Sequence, residues 1–205
     1  MREDLKHCKY TMFHPLNGFE EVKWNGKGSY RISAVVVFLF FLVNVFSAQM
    51  TGFSFNTNNP DKISMLSIFA ISVGGVLLWF ISNWAVSSLM NGEGRLGQIW
   101  LVTCYSLIPY IVFMALFILA SNFTSLEMAT FLYMLEGVGI AWSCLLMFFG
   151  LYQIHQMDFR QTILNILLTI FGIAVMLFLM VLLYSLFQQM YTFIYTIFSE
   201  IMFRS

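Results

Sequence analysis

The stretch NGEGRLGQIWLVTCYSLIPY, residues 91–110, carries Gly92, Gly94 and Gly97 at the spacing G-x-G-x-x-G. In an α/β protein that spacing marks a turn around a dinucleotide pyrophosphate. It does so only with a strand before it, a helix packed on a sheet after it, and an acidic side chain about 20 residues on. Here residues 65–90 form one apolar run, too long for a strand, and Val112, about 20 positions past Gly92, lies inside the next run. The glycines therefore predict a tight reversal between antiparallel helices, and nucleotide binding is set aside.

What surrounds those helices follows from composition. The chain has 205 residues, of which 60% are hydrophobic and only 10% charged, whereas a soluble domain carries about 25% charged residues. So few charges cannot cover a water-facing surface. A membrane-crossing helix needs about 20 mainly apolar residues, and five runs qualify: 32–50, 65–90, 99–120, 129–152 and 163–187. They are too long and too uniformly apolar for the in–out alternation of a membrane barrel. The expected fold is an all-α integral membrane protein, a five-transmembrane-helix bundle with short amphipathic helices at both ends. Residues 1–31 form a cytoplasmic segment, 32–187 the membrane domain and 188–205 a C-terminal amphipathic helix outside.

Orientation comes from lysine and arginine. Arg2, Lys6, Lys9, Lys23, Lys27, Arg31, Arg95 and Arg160 fall on one side, against Lys62 and Arg204 on the other. The positive-inside rule then puts the N-terminus in the cytoplasm and the C-terminus outside. Polar residues precede the first run and no A-x-A follows it, so no cleaved signal peptide is expected. A net charge of zero argues against nucleic acid as a partner. Cys8, Cys104 and Cys144 form no CxxC pair and predict no disulfide framework.

In the first segment Pro15 divides the chain, and Asn17 with Glu20 three residues on has the form of a capping box. Leu16, Phe19 and Val22 then share a face of a short helix. Lys23, Lys27 and Arg31 are spaced to meet anionic headgroups, with Trp24 at the headgroup level; a docking site for a cytosolic partner is the competing reading. At the other end Phe193, Ile194, Ile197, Phe198, Ile201 and Met202 form a stripe opposite Tyr191, Thr192, Tyr195, Ser199 and Glu200. This predicts an interfacial helix, or an extension of the fifth span that bends near Gln188 and Gln189. Asn122 begins an N-F-T glycosylation sequon.

Ionisable residues inside spans are functional candidates by default. Glu136 is the clear case, roughly 10 Å deep at 1.5 Å per residue. Gly137, Gly139, Ala141 and Ser143 follow it and suit close helix packing; Ser72, Gly74 and Gly75 of the second span are the expected counterpart. Asn83, Trp84, Ser87 and Ser88 end the second span, and Tyr105, Ser106, Pro109 and Tyr110 fall in the inner half of the third. They read as interhelical hydrogen bonds or as the lining of a polar pocket. Pro109 frees the Tyr105 carbonyl and predicts a kink. Neither HExxH nor GxSxG occurs, and His7, His14 and His155 lack metal-ligand spacing, so no enzyme, cofactor or metal is expected. A helix beginning near Leu96 points free N–H groups outward, where an acidic group of a partner could be held.

The order of these motifs resembles the bacterial branch of the Yip1 family. Asn83 and Trp84 close the second span, Gly92, Glu93 and Gly94 make the turn, and Tyr105, Pro109 and Tyr110 follow in the third. Upstream, His14, Pro15, Gly18, Phe19, Lys23, Gly28 and Ser29 resemble the family's entry segment. The resemblance implies five spans, an inside N-terminus and no enzymatic activity. Eukaryotic members associate with one another and with Rab-type GTPases, but this chain lacks their Asp-Leu-Tyr-Gly-Pro segment. Some bacterial members accompany ABC-type transporters. The implied role is an accessory or scaffold subunit of a bacterial plasma membrane, partnered by lipid and by other membrane proteins or by itself. The alternative is a small channel or transporter using Glu136 and a pocket near Asn83 and Tyr105.

Overall fold

A computed structural model describes residues 2–53, 55–56 and 64–204. Lys62 lies outside them, as do the side chains of Arg2, Ile201 and Arg204.

Two short helices, α1 (Arg2–Phe13) and α2 (Pro15–Trp24), precede α3 (Tyr30–Met50), α4 (Met65–Leu89), α5 (Leu96–Ser106), α6 (Ile108–Ser121), α7 (Ala129–His155) and α8 (Phe159–Arg204). A 3₁₀ turn, Leu126–Met128, leads into α7. Among the described residues five stretches are long and apolar enough to cross a membrane: α3, α4, α5 with α6, α7 with its 3₁₀ turn, and α8. The third crossing is broken as Pro109 requires. Proline has no N–H to donate and favours the first helical turn, so α5 stops at Ser106 and α6 starts afresh at Ile108. The Leu107 N–H closes onto the Cys104 carbonyl at 3.1 Å, and the Ser143 hydroxyl of α7 accepts the Tyr110 N–H at 3.0 Å.

The break divides the core in two. Beyond it, Val43, Met114, Phe117, Ile118 and Leu132 pack between α3, α6 and α7. Before it, Leu101, Val102, Leu146, Leu151 and Ile154 of α5 and α7 pack with Phe19 and Val22 of α2. The first segment is therefore part of the core. It holds two helices where the sequence predicts one, and α2 lies on the bundle with Phe19 and Val22 fully buried. Only Leu16 of the expected apolar face stays exposed.

Several expectations are corrected. Asn17 is not an N-cap: α2 begins at Pro15 behind His14, which makes no side-chain capping bond, because proline at the first turn sets the start earlier. Lys23 does not reach for headgroups; it is paired within the chain, as described below. The small-residue patches of α4 and α7 do not meet. A Cβ on Gly139 would strike Phe113 of α6, whereas Gly74, Gly75 and Gly137 face open space. The reason is the packing order: α7 lies against α6, α2 and α5, while α4 lies against α8, α3 and α5. Finally, α8 continues unbroken through Gln188 and Gln189, so the C-terminal amphipathic stretch is an extension of the fifth span and not a separate helix.

Candidate functional site

Several of the residues singled out from sequence converge around the 91–95 turn, where α4 ends and α5 begins. The left-handed φ of Asn91 (56°) ends α4, and the Gly92 N–H returns to the Ser87 carbonyl at 2.8 Å, closing the helix end as a Schellman turn does. The glycines serve close approach. A Cβ on Gly92 would lie 2.8 Å from His155 Nδ1, and one on Gly94 would lie 2.6 Å from the same ring and 2.7 Å from Ile154 Cγ2. A Cβ on Gly97 would fall on the Tyr30 hydroxyl. The turn is thus moulded over the end of α7, and the G-x-G-x-x-G spacing records three contacts with side chains.

Beneath the turn lies a buried polar network. His155 Nε2 stands 3.3 Å from Asn83 Oδ1. The Asn83 amide donates to Asn165 Oδ1 at 2.8 Å and to Thr169 Oγ1 at 3.1 Å. Thr169 donates to the Asn165 carbonyl, and Ser82 donates to the Thr169 carbonyl, both at 2.7 Å. Because both Asn83 amide hydrogens are committed, its oxygen is the acceptor, which assigns the proton of a neutral His155 to Nε2. His155 Nδ1 is buried without a hydrogen-bond partner, against the glycine turn. Five side chains from α4, α7 and α8 are so locked together inside apolar surroundings. Asn165 and Thr169 escape a reading that searches for charges, although Thr162, Asn165 and Thr169 recur at helical spacing in an otherwise apolar run. That polar stripe was the signal.

Above the turn sits the α1–α2 cap. Lys23 Nζ meets Glu93 Oε2 at 2.7 Å, with the lysine side chain 6% exposed and the glutamate 63%. Gln98 donates to the Lys23 carbonyl at 3.1 Å and accepts the Arg95 N–H at 3.0 Å. The Ser29 N–H donates to the buried Tyr105 hydroxyl at 3.0 Å. Gly18 lets α2 touch Thr11 of α1, and Gly28 lets the following loop touch Leu101. His14 stacks on Tyr10, and the Trp142 indole donates to the Met12 carbonyl at 3.3 Å. An ion pair with one exposed partner contributes about 0–1 kcal/mol, whereas burying an aromatic side chain is worth about 1.5–3 kcal/mol. Phe19 therefore holds the cap down and Lys23–Glu93 fixes its register. Between α1 and the 26–28 loop, Glu3, Asp4, Lys6, His7, Tyr10, Glu21 and Lys27 line a cleft of about 550 Å³. There Glu21 Oε2 lies 3.1 Å from His7 Nε2 and 3.3 Å from Lys27 Nζ.

Other candidates stand apart. Trp84 is exposed on the outside of α4, and Pro109 is buried at the helix break. The Tyr110 hydroxyl reaches Asn44 at 3.5 Å, and half-buried Glu136 is its electrostatic neighbour. Asn83 and Tyr105 have different partners: Asn83 bonds Asn165 and Thr169, and Tyr105 accepts from Ser29. Cys8 is buried in α1, which pushes its thiol up to about 11. Among the described residues no cluster of His, Cys, Asp or Glu is arranged to hold a metal ion.

The family model for the Yip1 domain matches residues 9–198, from α1 to the far part of α8. No curated protein and no solved structure matches the chain.

Proposed function

The chain belongs to the Yip1 family, and we propose that it is a non-enzymatic accessory or scaffold subunit for other membrane proteins. In this reading it is a member of the family's bacterial branch in the plasma membrane. Residues 1–31 face the cytoplasm as a cap, 32–187 form the membrane domain and 188–205 lie outside. The partner class is an ABC-type transporter.

The observation that carries the reading is the docked cap. A mobile polar tail would need to be ordered at each encounter, at a cost of about 1–2 kcal/mol per residue fixed. Here α1 and α2 are already fixed by Phe19, Val22 and the Lys23–Glu93 pair, and they hold the charged cleft in place. A preset surface of mixed charge on a lipid-embedded base suits binding better than turnover. The test is affinity purification of the full chain from native membranes in mild detergent, at native expression. A stoichiometric membrane partner is expected. Lys23→Glu should reduce its recovery, and adding Glu93→Lys should restore it. Recovery of the chain alone would remove the reading, as would a partner indifferent to these charges.

A further inference from the structure

Buried hydroxyls in this chain commonly turn back on their own helix. Ser33, Ser72, Thr103 and Thr169 each donate to the carbonyl one turn earlier, at 3.2, 2.6, 2.8 and 2.7 Å. Ser106 of α5 does not. It is fully buried, and among the described residues its hydroxyl has no hydrogen-bond partner. The buried indole N–H of Trp79 on α4 has none either. Away from water such orphans are rare, because the bonds lost to solvent are not replaced. Both residues line the same cavity, a groove of about 930 Å³ between α7 and α8, within the ~300–1,000 Å³ of small-molecule sites. Ser143 lines it too, and its oxygen already accepts the Tyr110 N–H. Phe148, Phe149 and Phe159 run along the wall, with Phe148 edge-on to the other two rings at 5.7 and 5.1 Å.

Depth and donor set narrow what the groove takes. Ser106 lies ten residues into α5 from Leu96, and Trp79 ten residues before the end of α4 at Leu89. Both are therefore about 15 Å from the 91–95 turn, near the middle of a hydrocarbon core about 30 Å thick. A charged group is expensive there, which excludes a phospholipid headgroup. An indole N–H can only donate, so the group it meets must be an acceptor, and a carbonyl is the neutral one. Aromatic walls favour a flat ring stacked or edge-on against them. We propose that the groove binds a lipid-soluble quinone, with ring carbonyl oxygen accepting from Trp79 and Ser106. Its hydrocarbon tail leaves by the open side, where Leu145 and Ile163 are exposed. Diacylglycerol is neutral as well but brings no ring, and plain acyl chains bring no acceptor to this depth. The site goes beyond the accessory role, since a ligand in the membrane domain needs no protein partner.

Decylubiquinone titrated into the full chain in a fixed detergent, followed by tryptophan fluorescence, tests the site. Quenching should saturate. Ser106→Ala should weaken binding about threefold or more, the loss of one hydrogen bond. That hydroxyl makes no bond in the fold, so the Tm of this variant without ligand should match the wild type. Cys144→Phe, at an exposed position on the groove, should fill it and abolish saturable quenching, again with Tm unchanged. Decylbenzene, which has ring and chain without carbonyls, should not compete. Mass spectrometry of lipid extracted from the chain purified from native membranes should find quinone, and at least fivefold less of it in Cys144→Phe. Quenching that never saturates and is alike in all three proteins would overturn the inference; that is what free partition into the micelle gives. Equal competition by decylbenzene would overturn it too, as would diacylglycerol or phospholipid recovered in place of the quinone.

Discussion

Gly94→Ala puts the reading of the glycine turn at risk. The added Cβ would lie 2.6 Å from His155 Cε1 and Nδ1 and 2.7 Å from Ile154 Cγ2, far inside the ~3.5–4.0 Å of carbon–carbon contact. Neither neighbour has room, since both are buried and the imidazole is tied to Asn83. Relief requires the ring to leave Asn83. Overpacking of this kind costs about 1–3 kcal/mol, and the lost interhelical hydrogen bond about 0.6 kcal/mol. Against these, the stiffer unfolded chain returns about 0.4–1 kcal/mol, leaving a net loss of about 1–3 kcal/mol. Each kcal/mol moves Tm by about 2–4 °C in a chain of this size, so a fall of about 2–12 °C is expected for the full chain in a fixed detergent. Gly74→Ala is the control, because a Cβ there meets nothing; its Tm should hold or rise. His155→Ala makes room, so combined with Gly94→Ala it should melt above the additive expectation by at least ~1 kcal/mol of coupling. If Gly94→Ala melts with the wild type, or if the two substitutions add, the turn does not pack on His155.

Other consequences are independent of that one. Lys23→Glu and Glu93→Lys should each speed proteolysis in the 25–28 loop by loosening the cap, while the double reversal returns it to the wild-type rate; equal cleavage in all four proteins would make the pair irrelevant. Asn83→Leu leaves Asn165, Thr169 and His155 short of partners and should cost about 1–3 kcal/mol for each group left unsatisfied. Asn44→Leu, which removes only the 3.5 Å contact to Tyr110 and a bond within α3, should cost well under that, and a melting comparison decides it. The Cys8 thiol, held up to about 11 against an ordinary 9.0, should resist maleimide at pH 7 to 9 in the native protein. Its folded pKa is raised, so its contribution to stability is complete below pH 9 and is lost as pH rises toward 11; Cys8→Ala should flatten that part of the pH–stability curve.

The fold was legible because an apolar run of crossing length needs no context: the hydrocarbon thickness sets it and the sequence either has it or lacks it. Pro109 was legible for the same reason, since a missing N–H acts on its own helix. The cap was not. Helix α1 has little apolar character of its own, and α2 owes its position to Phe19 filling the space left by Gly150 against Val102, residues far apart in the sequence. Lys23 shows the same limit. Its spacing with Lys27 and Arg31 fits a lipid surface, yet its partner Glu93 is remote in sequence, and local periodicity carries no information about it. Small residues misled in another way: Gly74, Gly75 and Gly137 permit close packing, but permission does not name a neighbour.

The glycine turn shows why a motif's residues need a partner before they acquire a meaning. Around a pyrophosphate, such glycines keep side chains away from an anion. In this chain they keep side chains away from an imidazole and a tyrosine hydroxyl, and the spacing alone cannot tell the two apart. What separates them is the material on either side. An apolar run before the turn and another after it leave no sheet for a nucleotide, but they bring the ends of α4, α7 and α8 together in a medium where an unpaired amide costs several kcal/mol. Asn83, Asn165, Thr169 and His155 answer that cost among themselves, and the turn must then close over the ring they hold. Gly92 and Gly94 therefore answer to His155 in part. A smaller residue in its place would relieve the closest contact at each glycine, but Ile154 Cγ2 would still stand 2.7 Å from a Cβ on Gly94 and the Ser87 carbonyl 3.1 Å from one on Gly92.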